Sequence, residues 1–214
     1  MKAFLKSVMQ LLVPARFLVY HGNRRRKEIA LTFDDGPNTV YTARILELLR
    51  SFNIKASFFL VGAEIERNAE LCRQIKDGGH CLFNHTYSHR LGRCCSAGDW
   101  RDEITRTNSL LADLGCSGVA LVRPPRGILS IPFVVAAMQT SSRIALWSID
   151  SQDWQKAGSA KILEAVFARP LRNGDIILMH DDNEHTLAAL PALISRAVDE
   201  GFSFVTLDHL WRSL

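Results

Sequence analysis

From residue 29 onward, short apolar runs alternate with longer segments in which apolar residues recur every three or four positions. Short runs bounded by turn residues are typical of buried strands, and the longer spacing is typical of helices that bury one face. The runs predict strands over residues 29–33, 56–61, 80–84, 119–122, 143–149, 175–179 and 202–206. The periodic segments predict helices over residues 41–52, 64–77, 99–114, 131–139, 159–168, 184–200 and 208–214.

Each of the seven predicted strands is followed by a predicted helix, with short connections between them. Repeated strand–helix–strand units favour a parallel sheet with right-handed crossovers. This pattern leaves two closures open, a seven-stranded (β/α) barrel and an open doubly wound sheet. No Gly-x-Gly-x-x-Gly sequence follows the first strand, so the pattern does not support a dinucleotide site.

The first 27 residues differ from the rest of the chain in charge. They carry seven basic groups and no acid, whereas residues 28–214 carry 19 basic and 22 acidic groups. A mildly acidic body argues against a nucleic-acid partner, which requires a basic face on the fold itself. We therefore divide the chain into a basic N-terminal leader, residues 1–27, and one folded domain, residues 28–214.

The leader has two possible roles. Residues 2–13 have the spacing of an amphipathic helix and, with the basic run of residues 24–27, could lie on an anionic membrane surface. Alternatively, the helix docks against the domain and the basic run is a solvated linker. There is no apolar run of transmembrane length and no signal-peptide cleavage site, and the cysteine count of five is odd. These features predict a cytoplasmic protein, peripheral at the inner membrane surface if the leader binds lipid.

Ionisable side chains follow five of the seven predicted strands. Because the carboxyl ends of parallel strands share one face of the fold, we expect these groups to meet there. They are Asp34 and Asp35 after the first strand, His85 and His89 after the third, Arg123 after the fourth, Asp150 and Asp153 after the fifth, and His180 and Asp181 after the sixth.

The spacing of His85 and His89 indicates a metal site. On a helical turn, residues four apart lie on one side and can share a metal. The side chains of Asp34 and Asp35 are expected to point to opposite sides of their strand, so that one binds metal while the other acts as a base. Two histidines and one carboxylate leave coordination positions open, as in catalytic sites. The alternatives are packed histidines and a simple Asp-Asp-Gly-Pro turn.

Arg123 and His180 are further candidates at strand ends. Arg123 could pair with an active-site carboxylate or form a surface salt bridge. His180 follows an apolar run, and a nearby carboxylate such as Asp153 would raise its pKa and suit it to general acid catalysis. The alternative for His180 is a hydrogen-bonded core histidine. Trp147 and Trp154 flank the fifth strand end and could line an acyl or sugar pocket, or could pack in the core.

Five short motifs resemble those of the polysaccharide deacetylases, carbohydrate esterase family four, which contain the nodulation-type chitooligosaccharide deacetylase homology domain. The motifs occur in the family order, and the resemblance covers residues 28–210. They are TFDDGP at 32–37, NHTYSH at 84–89, RPPRG at 123–127, DSQDW at 150–154 and LMH at 178–180. The resemblance implies a distorted (β/α)₇ barrel that removes N- or O-acetyl groups from glycans with a divalent metal. It identifies residues 28–214 as the catalytic domain.

The resemblance also implies roles for single residues. Asp34 would be the general base, held by Arg123, and His180 would be the general acid, tuned by Asp153. The metal would be zinc foremost, with cobalt, nickel, manganese or iron as alternatives. Its ligands would be Asp35, His85 and His89.

Three residues would contact the substrate. Arg126 would supply a backbone N–H to the oxyanion hole, and Trp154 and Leu178 would line the acetyl pocket. The family usually carries an aromatic residue at the position of Arg126, so this departure bears on substrate recognition. Phe83 replaces a residue that is often small, which bears on packing beside the metal.

By resemblance, the chain is a hydrolase that releases acetate from an N-acetylated amino sugar, with metal-activated water, Asp34 as base and His180 as acid. The partner would be a chitooligosaccharide-like glycan or a lipid-linked saccharide. One alternative is a catalytically silent glycan-binding relative. Another is a non-haem iron enzyme, because two histidines and a carboxylate also bind iron.

Overall fold

The computed structural model describes residues 17–91, 95–116, 118 and 120–212. Within them, one parallel sheet contains nine strands. The strands are β1 (Leu18–Val19), β2 (Glu28–Asp34), β3 (Ser57–Leu60), β4 (Cys81–Asn84), β5 (Leu121–Val122), β6 (Arg143–Ala145), β7 (Ile149–Asp150), β8 (Ile176–His180) and β9 (Ser203–Phe204).

Eight α-helices are present in the same residues. They are α1 (Tyr41–Ser51), α2 (Gly62–Arg67), α3 (Ala69–Asp77), α4 (Ala97–Asp113), α5 (Ile131–Gln139), α6 (Ser159–Val166), α7 (Glu184–Asp199) and α8 (Leu207–Arg212). Short 3₁₀ helices span Pro125–Gly127 and Asp153–Gln155. No helix in the described part of the chain combines the length and the hydropathy that a bilayer crossing requires.

The strand order shows how the sheet closes. The strands follow the path β1-β6-β5-β4-β3-β2-β8-β7, and β9 pairs with β2. In a flat sheet, six spacings of about 4.8 Å would separate β6 from β7 by about 29 Å. The three residues that connect these strands span at most roughly 14 Å. The sheet therefore curls into the predicted distorted (β/α)₇ barrel, and the open-sheet alternative is wrong.

The inside of the barrel is a packed core at one end. Alternate strand residues point inward, and two leucines of α8 pack beneath them. This core contains Val19, Ala30, Phe59, Phe83, Leu121, Ala145, Ile176, Leu207 and Leu210. The polar residues that end the strands are consequently left at the opposite, carboxyl end of the barrel.

Local sequence accounts for the main helix starts. The side chain of Ser96 accepts from the N–H of Asp99 and completes a capping box, so α4 begins two residues before the predicted start. The side chains of Ser130 and Asn183 cap α5 and α7 by accepting one hydrogen bond each, from the N–H of Phe133 and of Thr186. The predicted helix over residues 64–77 is wrong as one element, because the extended φ of −132° at Asn68 divides it.

Two further predictions are corrected at the sheet. The predicted strand over residues 143–149 is two strands, β6 and β7. Strand β1 was not predicted, because two residues carry no periodic signal, yet Leu18 and Val19 are buried and pair with β6. Part of the segment assigned to the leader therefore belongs to the folded domain. The predicted amphipathic helix over residues 2–13 lies outside the described residues.

Candidate active site and metal centre

The strand ends bring the predicted groups together. Asp34 ends β2 and His180 ends β8, and the two residues are partners in the parallel register. His85 follows β4 and Arg123 follows β5, with the N–H of Arg123 donating to the carbonyl of Asn84. This convergence at the carboxyl end of the barrel confirms the expected placement.

Three side chains form a cluster with the geometry of a metal site. The Oδ1 atom of Asp35 lies 3.2 Å from the Nε2 atoms of both His85 and His89. One ligand atom from each residue lies within 4.8 Å of the other two. This is the only such cluster of three in the described residues.

The donor atoms fit a divalent cation. The Nδ1 atom of His85 lies 2.9 Å from the carbonyl oxygen of Arg123, which can only accept, so Nδ1 carries the proton. Nε2 of His85 therefore presents a lone pair to Asp35 Oδ1. That oxygen is buried and accepts no hydrogen bond from the described residues. The lone pair of His85 Nε2 and Asp35 Oδ1 are two acceptors that face each other, and a cation between them would satisfy both. Two imidazoles with one carboxylate are ligands that suit zinc and related ions.

The two histidines do not lie on a helical turn, contrary to the prediction. Residues 85–89 form a loop in which Thr86 and His89 have left-handed φ angles of 66° and 49°. The ring centroids of His85 and His89 are nevertheless 5.0 Å apart. Because such backbone angles persist only where the surroundings enforce them, the loop must be held by other residues.

The two aspartates also depart from the prediction, because their carboxylates do not diverge. Asp34 Oδ2 lies 3.7 Å from His85 Nε2, the same atom that Asp35 approaches. Asp35 has a φ of 73° and lies beyond the end of β2, so strand alternation no longer applies to it. A Cβ atom on Gly36 would lie 2.3 Å from the Asp181 carboxylate, so only glycine fits there.

Arg123 is fully buried, so the surface salt-bridge interpretation is wrong. Its NH1 atom donates to Asp34 Oδ1 at 2.6 Å and to Thr32 Oγ1 at 2.9 Å. Its remaining nitrogens donate to the carbonyls of Ala145 and Leu146. The guanidinium therefore holds one oxygen of Asp34 and leaves the other facing His85.

His180 and Asp153 form a second acid–base pair. His180 Nδ1 donates to Asp153 Oδ1 at 2.7 Å, and the backbone N–H of His180 donates to Oδ2, which also accepts from Thr186. Burial opposes protonation of His180. The hydrogen bond to Asp153 and the negative charges of Asp153, Asp34 and Asp35 outweigh it and raise the pKa of His180 to about 9.

Charge also sets the protonation of the metal-site residues. Burial opposes ionisation of Asp35, but contact with His85 and the charges of His85, His89 and His180 hold the pKa of Asp35 well below its usual range. Burial and the charge of His85 lower the pKa of His89, against the opposing effect of the carboxylates. Metal binding requires an ionised carboxylate and neutral imidazoles, so a bound cation would replace the histidine charges that keep Asp35 ionised.

The predicted substrate-contacting residues lie within three positions in sequence of Arg123, Asp153 or His180. Arg126 is exposed with a φ of 54°, and Trp154 is exposed on the 3₁₀ helix after β7. Leu178 is buried in β8, two residues before His180 and thus on the same side of the strand. Trp147 packs against the core, and a Cβ atom on Gly127 would lie 2.4 Å from its ring.

Two buried acids lie near the site. The sequence predicted the position of Asp181 after a strand, but it gave no role to Glu103. Glu103 on α4 accepts from the N–H and the hydroxyl of Ser88, both at 2.7 Å. Asp181 accepts from the hydroxyl of Thr42 beneath Gly36. A signal for Glu103 exists, because it occurs at the inward spacing of Trp100 and Ile104.

The chain is similar to known deacetylases along most of its length. A family described as "Polysaccharide deacetylase" matches residues 21–141. A peptidoglycan-N-acetylglucosamine deacetylase of Bacillus cereus is 32% identical over 206 residues, covering 94% of this chain and 96% of the relative. A chitooligosaccharide deacetylase of Sinorhizobium fredii is 32% identical over 196 residues, covering 85% of this chain and 90% of the relative.

Solved structures agree with these matches. The crystal structure of a peptidoglycan N-acetylglucosamine deacetylase in complex with a hydroxamate-type benzamide matches with a TM-score of 0.86 at 30% identity, covering 92% of this chain and 94% of the other. A family four carbohydrate esterase pseudoenzyme from Bacillus anthracis matches with a TM-score of 0.83 at 27% identity, covering 90% and 68%. The same fold thus includes active and inactive members.

Proposed function

Because this chain belongs to the polysaccharide deacetylase family, we propose that it hydrolyses the N-acetyl group of an N-acetylglucosamine unit in a glycan and releases acetate. One observation supports this most directly. The Asp35, His85 and His89 donors lie between two proton-transfer groups, Asp34 and His180, at the open end of the barrel.

The metal site contributes the electrophile in this proposal. Asp35, His85 and His89 would hold a divalent ion, zinc foremost, and three protein ligands leave room for water and substrate. Such an ion, when bound, lowers the pKa of water and polarises an acyl oxygen.

Asp34 acts as the base. Its Oδ1 atom is held by Arg123, whereas Oδ2 faces the cluster 3.7 Å from His85 Nε2. This oxygen accepts a proton from the water that attacks the acetamide carbon. Arg123 makes four hydrogen bonds, so the carboxylate keeps one orientation throughout the reaction.

His180 acts as the acid. Its Nδ1 proton is used by Asp153, so the proton available for transfer is on Nε2, which lies 4.0 Å from Asp35 Oδ2. With a pKa of about 9, the ring is protonated at neutral pH. When the carbon–nitrogen bond breaks, Nε2 donates to the departing amine, and the products are acetate and a free amino sugar.

The remaining predicted contacts complete the pocket. The backbone N–H of Arg126 would donate to the developing oxyanion, and Trp154 and Leu178 would enclose the acetyl methyl group. The relatives are named for peptidoglycan and chitooligosaccharides, and both glycans contain N-acetylglucosamine. A lipid-linked saccharide with the same sugar is the third candidate.

Acetate release tests the proposal. Purified protein is incubated with N-acetylglucosamine oligomers, with peptidoglycan fragments and with a lipid-linked N-acetylglucosamine saccharide, before and after chelation. We expect acetate from at least one substrate, loss of activity with chelator, and recovery with zinc or another divalent ion. Activity that survives complete metal removal would contradict the metal assignment.

The catalytically silent relative is the competing function, and the pseudoenzyme neighbour gives it weight. In this chain the proposed base, acid and metal ligands are all present and brought together. A silent relative would bind an N-acetylglucosamine oligomer but release no acetate with any divalent ion. A non-haem iron enzyme would have no use for the paired acid His180.

A further inference from the structure

Helix α5 carries an apolar face that the described residues do not cover. Phe133, Val134, Ala136 and Ala137 are buried against the barrel. On the opposite side, Ile131, Val135 and Met138 are 72%, 38% and 52% exposed. A helix that is apolar on all sides is normally buried on all sides. We call these three residues the α5 stripe.

The chain reaches the described fold next to this helix. Phe17 packs against the same core cluster that contains Phe133 and Val134, and its carbonyl accepts from the N–H of Ile144 at 2.8 Å. Only three residues separate the end of α5 from the start of β6. The described part of the chain therefore begins at the end of the barrel where α5 finishes.

The N-terminal segment has the complementary surface. Its predicted helix, residues 2–13, presents an apolar face formed by Phe4, Leu5, Val8, Met9, Leu11 and Leu12. At 1.5 Å per residue this helix would be about 18 Å long, whereas the α5 stripe is about 11 Å long. Residues 14–16 can span about 10 Å, which is enough to turn the helix back onto α5.

The basic run at the end of the leader, residues 24–27, contacts the folded domain. Arg24 pairs with Asp175 at 3.0 Å, and Arg26 lies 3.8 Å from Glu28. The ammonium of Lys27 lies 5.2 Å from the centre of the Phe202 ring. These contacts favour an intramolecular role for the N-terminal segment over a lipid surface.

We propose that residues 2–13 bind the α5 stripe of the same chain through their apolar face. The docked helix covers both apolar surfaces at once and completes the helical layer beside β1. This proposal does not depend on the deacetylase activity, because the stripe lies on the outer side of α5.

Hydrogen exchange measured by mass spectrometry on the full chain tests the docking. The double variant Ile131→Asp and Met138→Lys places a negative charge in the first turn of α5 and a positive charge in the last turn. Both charges interact favourably with the helix dipole, so α5 is retained. We expect amides in residues 2–13 to exchange at least tenfold faster in this variant than in the unmodified chain. Val198→Lys, a 51% exposed apolar position on α7, is the matched control and leaves exchange unchanged.

A reciprocal variant avoids any change within the barrel. Leu5→Lys with Leu12→Lys removes apolar groups from the N-terminal segment, and we expect Met138 to become several-fold more reactive to hydroxyl-radical oxidation. Unchanged Met138 oxidation, or equal exchange of residues 2–13 in the unmodified chain and the α5 variant, would overturn the proposal.

The same hydrogen-exchange measurement distinguishes two other possible occupants of the α5 stripe. Protection that disappears on dilution would identify a second copy of the chain. Protection that requires vesicles of phosphatidylglycerol and phosphatidylcholine, with co-sedimentation of the protein, would identify a membrane. Either result contradicts intramolecular docking.

Discussion

The Asp34 carboxylate has two partners with different consequences, Arg123 on one oxygen and the open cluster on the other. Asp34→Asn would remove the proposed base and also leave the buried Arg123 guanidinium without its counter-charge. Breaking a buried ion pair in this way costs roughly 3–5 kcal/mol. Lost turnover in this variant would therefore mix chemistry with stability, so urea unfolding must accompany the activity measurement.

His180→Asn removes the proposed acid. The Asn amide can still donate to Asp153, but the Nε2 proton is absent. We expect acetate release to fall by about 10²–10⁴-fold. The buried Asp153 carboxylate also loses its charged partner, so the urea midpoint should fall, and activity is therefore compared well below that midpoint. His209→Asn removes an exposed imidazole far from the site and should change neither quantity. Full activity in His180→Asn would exclude the residue as the acid.

At the scale of elements, α4 holds the loop that carries the histidines. Glu103 accepts two hydrogen bonds from Ser88, the residue before His89, and Arg90 approaches the same carboxylate at 3.5 Å. The left-handed φ of His89 is thereby enforced from a neighbouring helix. Glu103 is thus a positioning residue, because it acts on the metal site through Ser88.

Glu103→Gln tests this support. The neutral amide replaces one acceptor oxygen with a donor, so the loop should loosen and divalent metal should bind roughly 10–100-fold more weakly. Competition with a chromophoric chelator measures the change, and circular dichroism checks the fold. Glu70→Gln, an exposed acid on α3 paired with Arg73, is the control. Identical metal affinity in both variants would mean that the loop holds its shape without Glu103.

A second element-scale prediction concerns the starts of β3 and β4. The N–H of Ala56 donates to Nδ1 of His80 at 3.0 Å, which requires a neutral ring. Burial, with a smaller effect from Lys55, lowers the pKa of His80 to about 4. An unfolded histidine titrates near 6.5. The stabilisation is therefore complete above about pH 6.5 and is lost as the pH falls toward 4, since only the unfolded chain takes up the proton.

His80→Asn keeps an acceptor for Ala56 but does not titrate. Between pH 7.5 and 5.0, we expect the free energy of unfolding to fall less in this variant than in the unmodified chain. Urea unfolding at both pH values gives the comparison. If the two proteins lose the same stability, His80 is not the group responsible.

At the scale of the whole molecule, Asp175 joins segments that are distant in sequence. Its buried carboxylate accepts from Arg24 at 3.0 Å, from Arg169 at 2.8 Å, from Ser148 at 2.9 Å and from the N–H of Arg172 at 2.8 Å. Burial opposes ionisation, but these donors hold the pKa of Asp175 below its usual value. Asp175 thus connects three segments at the amino end of the barrel: the residues before β2, the β6–β7 connection and the start of β8.

Asp175→Asn should destabilise the barrel by roughly 3–5 kcal/mol, because two partly buried arginines lose their counter-charge. Urea unfolding measures the loss. Glu164→Gln, which breaks the exposed Lys161–Glu164 pair, should cost no more than about 1 kcal/mol. A similar small effect at Asp175 would mean that closure does not depend on this network.

Much of the fold and site could be predicted from local signals. Short apolar runs located β2, β3, β4 and β8, and the 3.6-residue period located most helices, because a buried strand or helix face leaves its own pattern in the chain. The site followed from one rule, that parallel strands end on one face. The cytoplasmic location and a lipid-linked substrate stay predictions.

The amino-acid sequence by itself determined the strand–helix alternation, the family and the set of polar residues delivered to one end of the barrel. Only the tertiary structure decided how those residues meet. Contacts between distant segments close the barrel through β1, β6 and β7 and bury Arg123. They also set the turn that directs Asp34 and Asp35 toward one imidazole, and they provide the support from Glu103. Such contacts leave no periodicity, because each partner is chosen by the folded geometry and not by its neighbours in the chain.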